Sequence, residues 1–206
     1  MHHMKLLLTS TGLTTPMIRD FFIGQFDRLN DKTASVVTAG RSLEERRHIE
    51  ASIHEMRGLG IETSELDISK GDRFENAEKT DIYYVCGGNT YYILDRIRKT
   101  GLDALLKSEI RNGKFYLGVS AGSIVVGPNI AIAGFGDGGD ENDVRLEDLS
   151  GLGLVECIIS PHFNKGEEEA LKTFTAEWHE RDVIALSDEQ AVYVENGKNT
   201  LICGTL

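Results

Sequence analysis

The segment with the clearest chemical potential is 118–123, Gly-Val-Ser-Ala-Gly-Ser, which follows the short apolar run 114–117. A G-x-S-x-G pattern between a strand and a helix is typical of a nucleophile elbow, in which glycines relieve the crowding of a sharp turn. Such a turn exposes the Ser120 hydroxyl near the first amides of the following helix, which can stabilise negative charge on a substrate oxygen. The pattern alone fits a plain glycine-rich turn equally well, so other residues must decide.

A histidine base is the next requirement, because a serine hydroxyl is a weak nucleophile until a base accepts its proton. His162 is the best candidate, since it follows the apolar run 157–160 and so lies at a strand end, as the serine does. A packed loop histidine is the alternative interpretation. Charged helical stretches favour a solvated surface position for the histidines His48, His54 and His179.

The third group, which would orient the histidine, is expected in the acidic segment 188–190 between the apolar runs 183–186 and 191–194. Either of its acids, Asp188 or Glu189, could simply be a turn residue. For the acid that projects from the strand end toward the histidine, we predict Glu189.

Two backbone amides are candidates for an oxyanion hole. Gly88 follows the apolar run 82–86, and a glycine there lets a substrate carbonyl approach a bare N–H group. Ala121 directly follows the serine and begins the predicted helix. Taken alone, Gly88 fits an ordinary glycine turn equally well.

The composition predicts one domain that acts on a small molecule. The 206 residues suffice for one well-buried core, so a single domain over 1–206 is expected, with residues 1–3 resembling a cloning remnant. The 33 acidic and 22 basic residues give a formal charge of −11, which argues against nucleic acid and an anionic membrane surface as partners. No apolar run has the length of a membrane span, and no signal-peptide pattern occurs. Each of the three cysteines, Cys86, Cys157 and Cys203, lies in an apolar run, which predicts reduced thiols in the core of a cytoplasmic protein. No metal or cofactor is expected.

Short apolar runs alternate with amphipathic stretches along the chain. Strands are predicted at 5–9, 34–38, 61–66, 82–86, 114–119, 157–159, 183–186, 191–194 and 201–203. Helices are predicted at 17–30, 42–60, 90–99, 102–112 and directly after the elbow. This alternation predicts an α/β fold, a single-domain three-layer sandwich with a mostly parallel central sheet.

The order of the candidate groups along the chain is serine, histidine, acid, whereas an α/β-hydrolase runs serine, acid, histidine. Together with Gly-Gly-Asn at 87–89, the elbow at 118–122 and Pro-His-Phe at 161–163, this order resembles the peptidase E group of serine peptidases, family S51. That family, which includes cyanophycinases, is similar in fold to class I glutamine amidotransferases. The resemblance extends over nearly the whole chain.

The resemblance implies a role for each matching residue. It implies that Ser120 is the nucleophile, His162 the base and Glu189 the acid. It also implies that the amides of Gly88 and Ala121 are the oxyanion donors. Asp137 is a second candidate acid, because the family also carries an aspartate in the loop after the elbow helix. Asn89, the last residue of Gly-Gly-Asn, is assigned to substrate binding.

One departure from the family bears on specificity. In the aspartyl dipeptidases of the family, an arginine two residues beyond a Lys-Gly-Glu run binds the acidic side chain of the substrate. Here segment 165–169 reads Lys-Gly-Glu-Glu-Glu, so Glu169 holds the arginine's place and an aspartate preference is not expected. A solvated first helical turn, favoured by the helix dipole, is the simpler interpretation of these acids than a pocket for basic substrates.

The sequence thus predicts a serine peptidase that hydrolyses small peptides, in the manner of a dipeptidase, through an acyl-enzyme on Ser120. An esterase or amidase would use the same groups, and a non-catalytic small-molecule-binding protein could keep the same fold. These two classes stay open as alternatives.

Overall fold

The computed structural model of the protein describes residues 4–71, 79–136 and 138–203. Its strands are β1 (Lys5–Thr9), β2 (Thr33–Thr38), β3 (Glu62–Asp67), β4 (Ile82–Val85), β5 (Phe115–Val119), β6 (Ile158–Ser160), β7 (Val183–Ala185), β8 (Ala191–Glu195) and β9 (Lys198–Ile202). Its α-helices are α1 (Pro16–Ile23), α2 (Leu43–Gly58), α3 (Thr90–Thr100), α4 (Leu102–Arg111), α5 (Ala121–Ile124) and α6 (Glu168–Glu177). Among the described residues, 3₁₀ helices cover Ala131–Gly134 and Lys165–Glu167.

A seven-stranded sheet with the order β3-β2-β4-β5-β1-β8-β9 forms the centre of the molecule. Its first five strands pair in parallel, and β8 and β9 add antiparallel pairs at one side. The prediction of an α/β fold with a mostly parallel sheet is therefore confirmed. Strands β6 and β7 pair with each other in a separate two-stranded sheet, so the histidine does not follow a strand of the central sheet.

Helices cover both faces of the sheet, which makes three layers. On one face α1 and α2 bury apolar side chains against β1, β2, β4 and β5. These side chains include Ile18, Phe22, Ile49, Ile53 and Met56. On the other face α3, α4, α5 and α6 pack in a second apolar cluster that also receives β6. Side chains along the helices alternate between buried and exposed at helical spacing, as the apolar pattern predicted.

Two predicted elements have different bounds in the structure. Helix α1 begins at Pro16, capped by the Thr15 side chain, but it ends at Ile23 rather than residue 30, where Gly24, a poor helix former, follows. The last strand begins at Lys198, earlier than predicted, because Asn196 and Gly197 have positive φ angles of 52° and 78° and form a tight hairpin turn from β8.

The structure also bears on two expectations from composition. Cys86 and Cys157 are buried, as core thiols should be, but Cys203 is exposed, so its predicted core position is wrong. Cys203 lies just beyond the end of β9, the last strand of the sheet, where fewer elements cover it. None of the helices within the described residues is long and apolar enough to cross a membrane.

The turn from β5 into α5 depends on two close backbone approaches. A Cβ atom on Gly122 would lie 2.1 Å from the carbonyl oxygen of Val85, and one on Gly118 would lie 2.7 Å from the carbonyl oxygen of Gly122. Neither position has room for a side chain. The buried Tyr116 hydroxyl donates to the Gly122 carbonyl at 2.7 Å and holds the turn from within the core.

Gly122→Ala should therefore destabilise the protein strongly, because the obstructing atom belongs to the backbone and cannot rotate away. We expect a loss of about 3 kcal/mol or more in the free energy of unfolding, measured by urea denaturation. Gly58→Ala is the matched control, because no atom lies within 4 Å of its added methyl group, and it should be neutral or slightly stabilising. Equal stability of the two variants would contradict this account of the turn.

Candidate active site

Ser120 has the strained backbone expected of a nucleophile elbow. Its φ of 50° and ψ of −114° lie in a region that residues with a Cβ atom rarely adopt. Hydrogen bonds to β1 hold this conformation: Ser120 N donates to the Thr9 carbonyl at 2.9 Å, and the buried Ser123 hydroxyl donates to the same oxygen at 2.8 Å. Thr9 N returns a bond to the Ser123 hydroxyl at 2.9 Å. The elbow is thus fixed to a neighbouring strand.

The structure brings His162 to this serine. His162 Nε2 lies 3.0 Å from Ser120 Oγ, which is hydrogen-bonding distance. On the other side of the ring, Nδ1 lies 2.7 Å from Asp188 Oδ1. The side chains form a continuous chain from hydroxyl to imidazole to carboxylate, and the histidine and aspartate side chains are 49% and 63% exposed.

Asp188, and not the predicted Glu189, is the acid that contacts the histidine. The reason lies in the turn after β7, where Gln190 N donates to the Ser187 carbonyl and the Gln190 side chain accepts from Ser187 N. This turn places the first of the two acids toward the ring and the second, Glu189, in solvent. The alternative acid, Asp137, lies outside the described residues.

Sequence reasoning missed the group that joins the histidine segment to the central sheet. The hydroxyl of Ser10, a residue just past β1 and 1% exposed, accepts a hydrogen bond from His162 N at 3.1 Å and donates one to the Leu186 carbonyl at 3.0 Å. Nearby, the Thr11 hydroxyl donates to the Asp188 carbonyl at 2.9 Å. A Ser-Thr pair directly after the first strand was the available signal. Its meaning depends on contacts with residues some 150 positions away in the chain.

The two amides predicted for the oxyanion hole flank the serine. Ala121 N begins α5, and Gly88 has a φ of 137°, an angle suited to glycine. The strand end carrying Gly88 lies against the serine, because a Cβ atom on the preceding Gly87 would be 3.2 Å from Ser120 Cβ. Within the described part of the chain, neither amide has a hydrogen-bond acceptor. The oxyanion-hole role of these two amides stays a prediction.

The two predicted substrate-binding side chains have other partners. Asn89 caps α3: its Oδ1 accepts from Tyr92 N at 2.9 Å, and its Nδ2 donates to the Glu141 carbonyl at 2.9 Å. The Glu169 side chain is 88% exposed and pairs with Lys172 at 2.7 Å, one turn along α6. Neither residue lines a cavity at the serine, so the solvated-turn interpretation of Glu169 describes the structure.

Two cavities meet at Ser120 and His162. The smaller, of about 190 Å³, lies between α6 and the loop residues 133–136 and 138–140, and we call it the loop-side cavity. The larger, of about 500 Å³, lies between α2 and the carboxyl ends of β1, β4 and β5, and we call it the α2-side cavity. Gly88 also borders both. A molecule bound at Ser120 can therefore extend into a separate cavity on either side of this residue.

The α2-side cavity combines an apolar floor with buried polar groups. The Tyr84 hydroxyl lies 3.1 Å from Ser52 Oγ and 3.4 Å from Glu55 Oε2. Burial raises the pKa of the Glu55 carboxyl and raises the pKa of the Cys86 thiol to about 12. Cys86 thus remains a thiol at neutral pH and is a poor nucleophile. Among the described residues, no group of three or more His, Cys, Asp or Glu side chains could hold a metal ion.

The fold and the comparisons with known proteins together define the class of this protein as a peptidase. The family model of peptidase family S51 matches residues 6–202, nearly the whole chain, and the protein belongs to that family. The resemblance expected from the three sequence motifs is confirmed.

Relatives and solved structures agree with this assignment. The chain is 32% identical over 179 residues to an uncharacterized peptidase of Listeria monocytogenes, an alignment covering 84% of this chain and 86% of the relative. It is 33% identical over 170 residues to peptidase E of Salmonella arizonae, covering 81% of this chain and 62% of that protein. The crystal structure of a candidate peptidase E protein from Listeria monocytogenes matches with a TM-score of 0.82 at 26% identity, covering 98% of this chain and all of that one.

The half-buried Glu55 predicts a pH-dependent contribution to stability. Its folded-state pKa is raised above the ordinary value of 4.5, so the stability associated with its protonated form is present below that value and is lost as the pH rises through the folded pKa. Glu55→Gln should therefore be more stable than the unmodified protein at pH 7, with little difference at pH 4. Urea unfolding at both pH values measures this, with the exposed Glu50→Gln on the same helix as control. A Glu55→Gln effect independent of pH would contradict the prediction.

Proposed function

We propose that this protein is a serine peptidase that hydrolyses small peptides through an acyl-enzyme, with Ser120 as nucleophile, His162 as base and Asp188 as the orienting acid. The observation that carries the proposal is the hydrogen-bonded chain from Ser120 Oγ through the His162 ring to Asp188, at 3.0 and 2.7 Å. Membership of peptidase family S51 supports the reaction class.

In the proposed mechanism, Ser120 Oγ attacks the scissile carbonyl carbon while His162 Nε2 accepts its proton. Negative charge develops on the carbonyl oxygen, and the amides of Gly88 and Ala121 stabilise it. The imidazolium then donates the proton to the leaving amine as the C–N bond breaks. Water attacks the resulting ester by the same route, which releases the acid and restores the serine. Asp188 keeps Nδ1 protonated and stabilises the imidazolium.

Small peptides are the substrates that the two cavities support best. The loop-side cavity, bordered by α6 and by residues 133–136 and 138–140, has a volume of only about 190 Å³, which limits the length of chain on that side. The charge of the cavity lining is a separate argument, against substrates that carry a carboxylate on this side. The described residues around it include Asp140 and Glu167 but no lysine or arginine, so a substrate carboxylate there would have no cation to pair with.

The choice of acid can be tested with two isosteric substitutions. Asp188→Asn should lower kcat by about four orders of magnitude, as loss of the orienting acid does in another triad enzyme, because the amide no longer fixes the tautomer or stabilises the imidazolium. Glu189→Gln should change kcat less than about threefold, since its side chain lies in solvent. Steady-state kinetics on one peptide, with circular dichroism to verify folding, decides between them. The reverse ranking would return the role to Glu189.

Substrate choice can be tested with a dipeptide series of Asp-Leu, Asn-Leu, Ala-Leu and Lys-Leu. We expect Asp-Leu to be hydrolysed no faster than its neutral isostere Asn-Leu, because an unpaired carboxylate is costly to take out of water. Product amines are quantified by chromatography, and Ser120→Ala, which lacks the nucleophile, is the control for background hydrolysis. A kcat/KM for Asp-Leu ten times that for Asn-Leu would contradict the expectation. Turnover of esters but of no peptide would indicate an esterase instead.

A further inference from the structure

A buried hydroxyl without a partner lies in the wall of the loop-side cavity. Thr90, the first residue of α3, is 0% exposed, and within the described part of the chain its Oγ1 atom has no hydrogen-bond partner. Thr90 borders the same cavity as Gly88 and Ser120. Among threonines buried to a similar degree, Thr80 shows the usual arrangement, with its hydroxyl 2.7 Å from Ser35 Oγ.

An unpartnered buried hydroxyl is unusual, because leaving it without a hydrogen bond costs free energy that folding does not recover. Thr90 borders the cavity beside Ser120, so a polar group of a ligand bound there can supply the missing hydrogen bond.

The charge of the surroundings indicates which kind of group that is. Asp140 accepts a hydrogen bond from Thr90 N at 2.8 Å, so its carboxylate lies beside the threonine. Glu167 borders the cavity as well, while its Oε2 accepts from Asn164 N. With two carboxylates and no lysine or arginine among the described lining residues, the cavity favours a group that donates hydrogen bonds and is positively charged.

We propose that Thr90 Oγ1 and the Asp140 carboxylate bind an ammonium group of the peptide substrate, an inference that rests on the proposed peptidase function. An α-ammonium group is separated from the carbonyl carbon of its own residue by a single carbon atom. If the Gly88 N–H donates to the carbonyl oxygen of the substrate's first residue, the ammonium group of that residue lies close to Gly88. Thr90 follows Gly88 by only two positions along the chain. A lysine side chain would bring the same chemistry from a second source.

The inference can be tested without knowing the natural substrate. A fluorophosphonate probe labels a reactive serine hydroxyl, and any compound that occupies the site slows this labelling. Alaninamide carries an α-ammonium group, N-acetylalaninamide lacks it, and N-acetyllysinamide carries only a side-chain ammonium, with N-acetylnorleucinamide as its neutral match. We expect alaninamide to protect the serine at least tenfold better than N-acetylalaninamide. Protection by N-acetyllysinamide alone would assign the site to a side chain rather than the amino terminus and would still support ammonium binding.

The matched variants are Thr90→Val and Thr80→Val, which remove a buried hydroxyl of the same type at two places. Thr90→Val should raise the concentration of the protecting ammonium compound needed for half-protection about tenfold to a hundredfold, as expected for loss of a hydrogen bond to a charged group. It should not lower the melting temperature, because its hydroxyl has no partner among the residues that the structure describes. Thr80→Val should do the opposite, lowering the melting temperature while leaving labelling and protection unchanged.

The outcomes separate the two proposals. Absence of labelling at Ser120 in the unmodified protein would contradict the serine mechanism itself. Labelling that is slowed equally by the ammonium and neutral members of each pair, or by none of the four compounds, would overturn the ammonium site while leaving the mechanism standing. Unchanged protection in a folded Thr90→Val variant would also overturn it.

Discussion

The close approach of α5 to the end of β4 is the constraint on which the site depends. The two backbones meet where Gly122 faces the Val85 carbonyl, and a side chain of any size there would separate them. This contact lets the chain reverse within the few residues around Ser120 and holds that serine at its unfavourable φ of 50°. Strain of this kind persists only where the surrounding structure over-determines it, and the bonds from Ser123 and Ser120 to Thr9 supply that support.

The histidine depends on a different kind of support. His162 follows β6, which belongs to a separate two-stranded sheet, so pairing within the central sheet does not fix its distance from the elbow. Hydrogen bonds from the end of β1 provide that connection, through the Ser10 hydroxyl to the His162 amide and through Thr11 to the Asp188 carbonyl. The end of β1 thus contacts both halves of the proposed catalytic chain, since Thr9 also supports the serine.

Much of this arrangement could be predicted from sequence, because it follows from local patterns. The alternation of apolar runs gave the layered α/β fold, and the glycines around Ser120 indicated the elbow. The choice between Asp188 and Glu189 could not be made in this way, because both lie in one short turn whose orientation depends on the bonds between Ser187 and Gln190 and on the bond from Thr11 to the Asp188 carbonyl. The early start of β9 did have a local signal, the Asn-Gly pair at 196–197, which is typical of a two-residue hairpin turn. That the Thr90 hydroxyl has no partner among the described residues is a consequence of packing, which the sequence pattern does not indicate.

The two cavities at the serine differ in a way that bears on how a peptide would be oriented. The loop-side cavity is small and bordered by Asp140 and Glu167, whereas the α2-side cavity is larger and carries Glu45 and Glu55 beside an apolar floor. In the proposed mechanism, the residue that is acylated and the residue that leaves must occupy opposite sides of the serine. Because carboxylates border both cavities, charge alone does not assign the two sides to the two residues. The feature that differs is Thr90, which borders only the loop-side cavity, so the proposed ammonium site places the acylated residue on that side and the leaving residue in the larger space along α2.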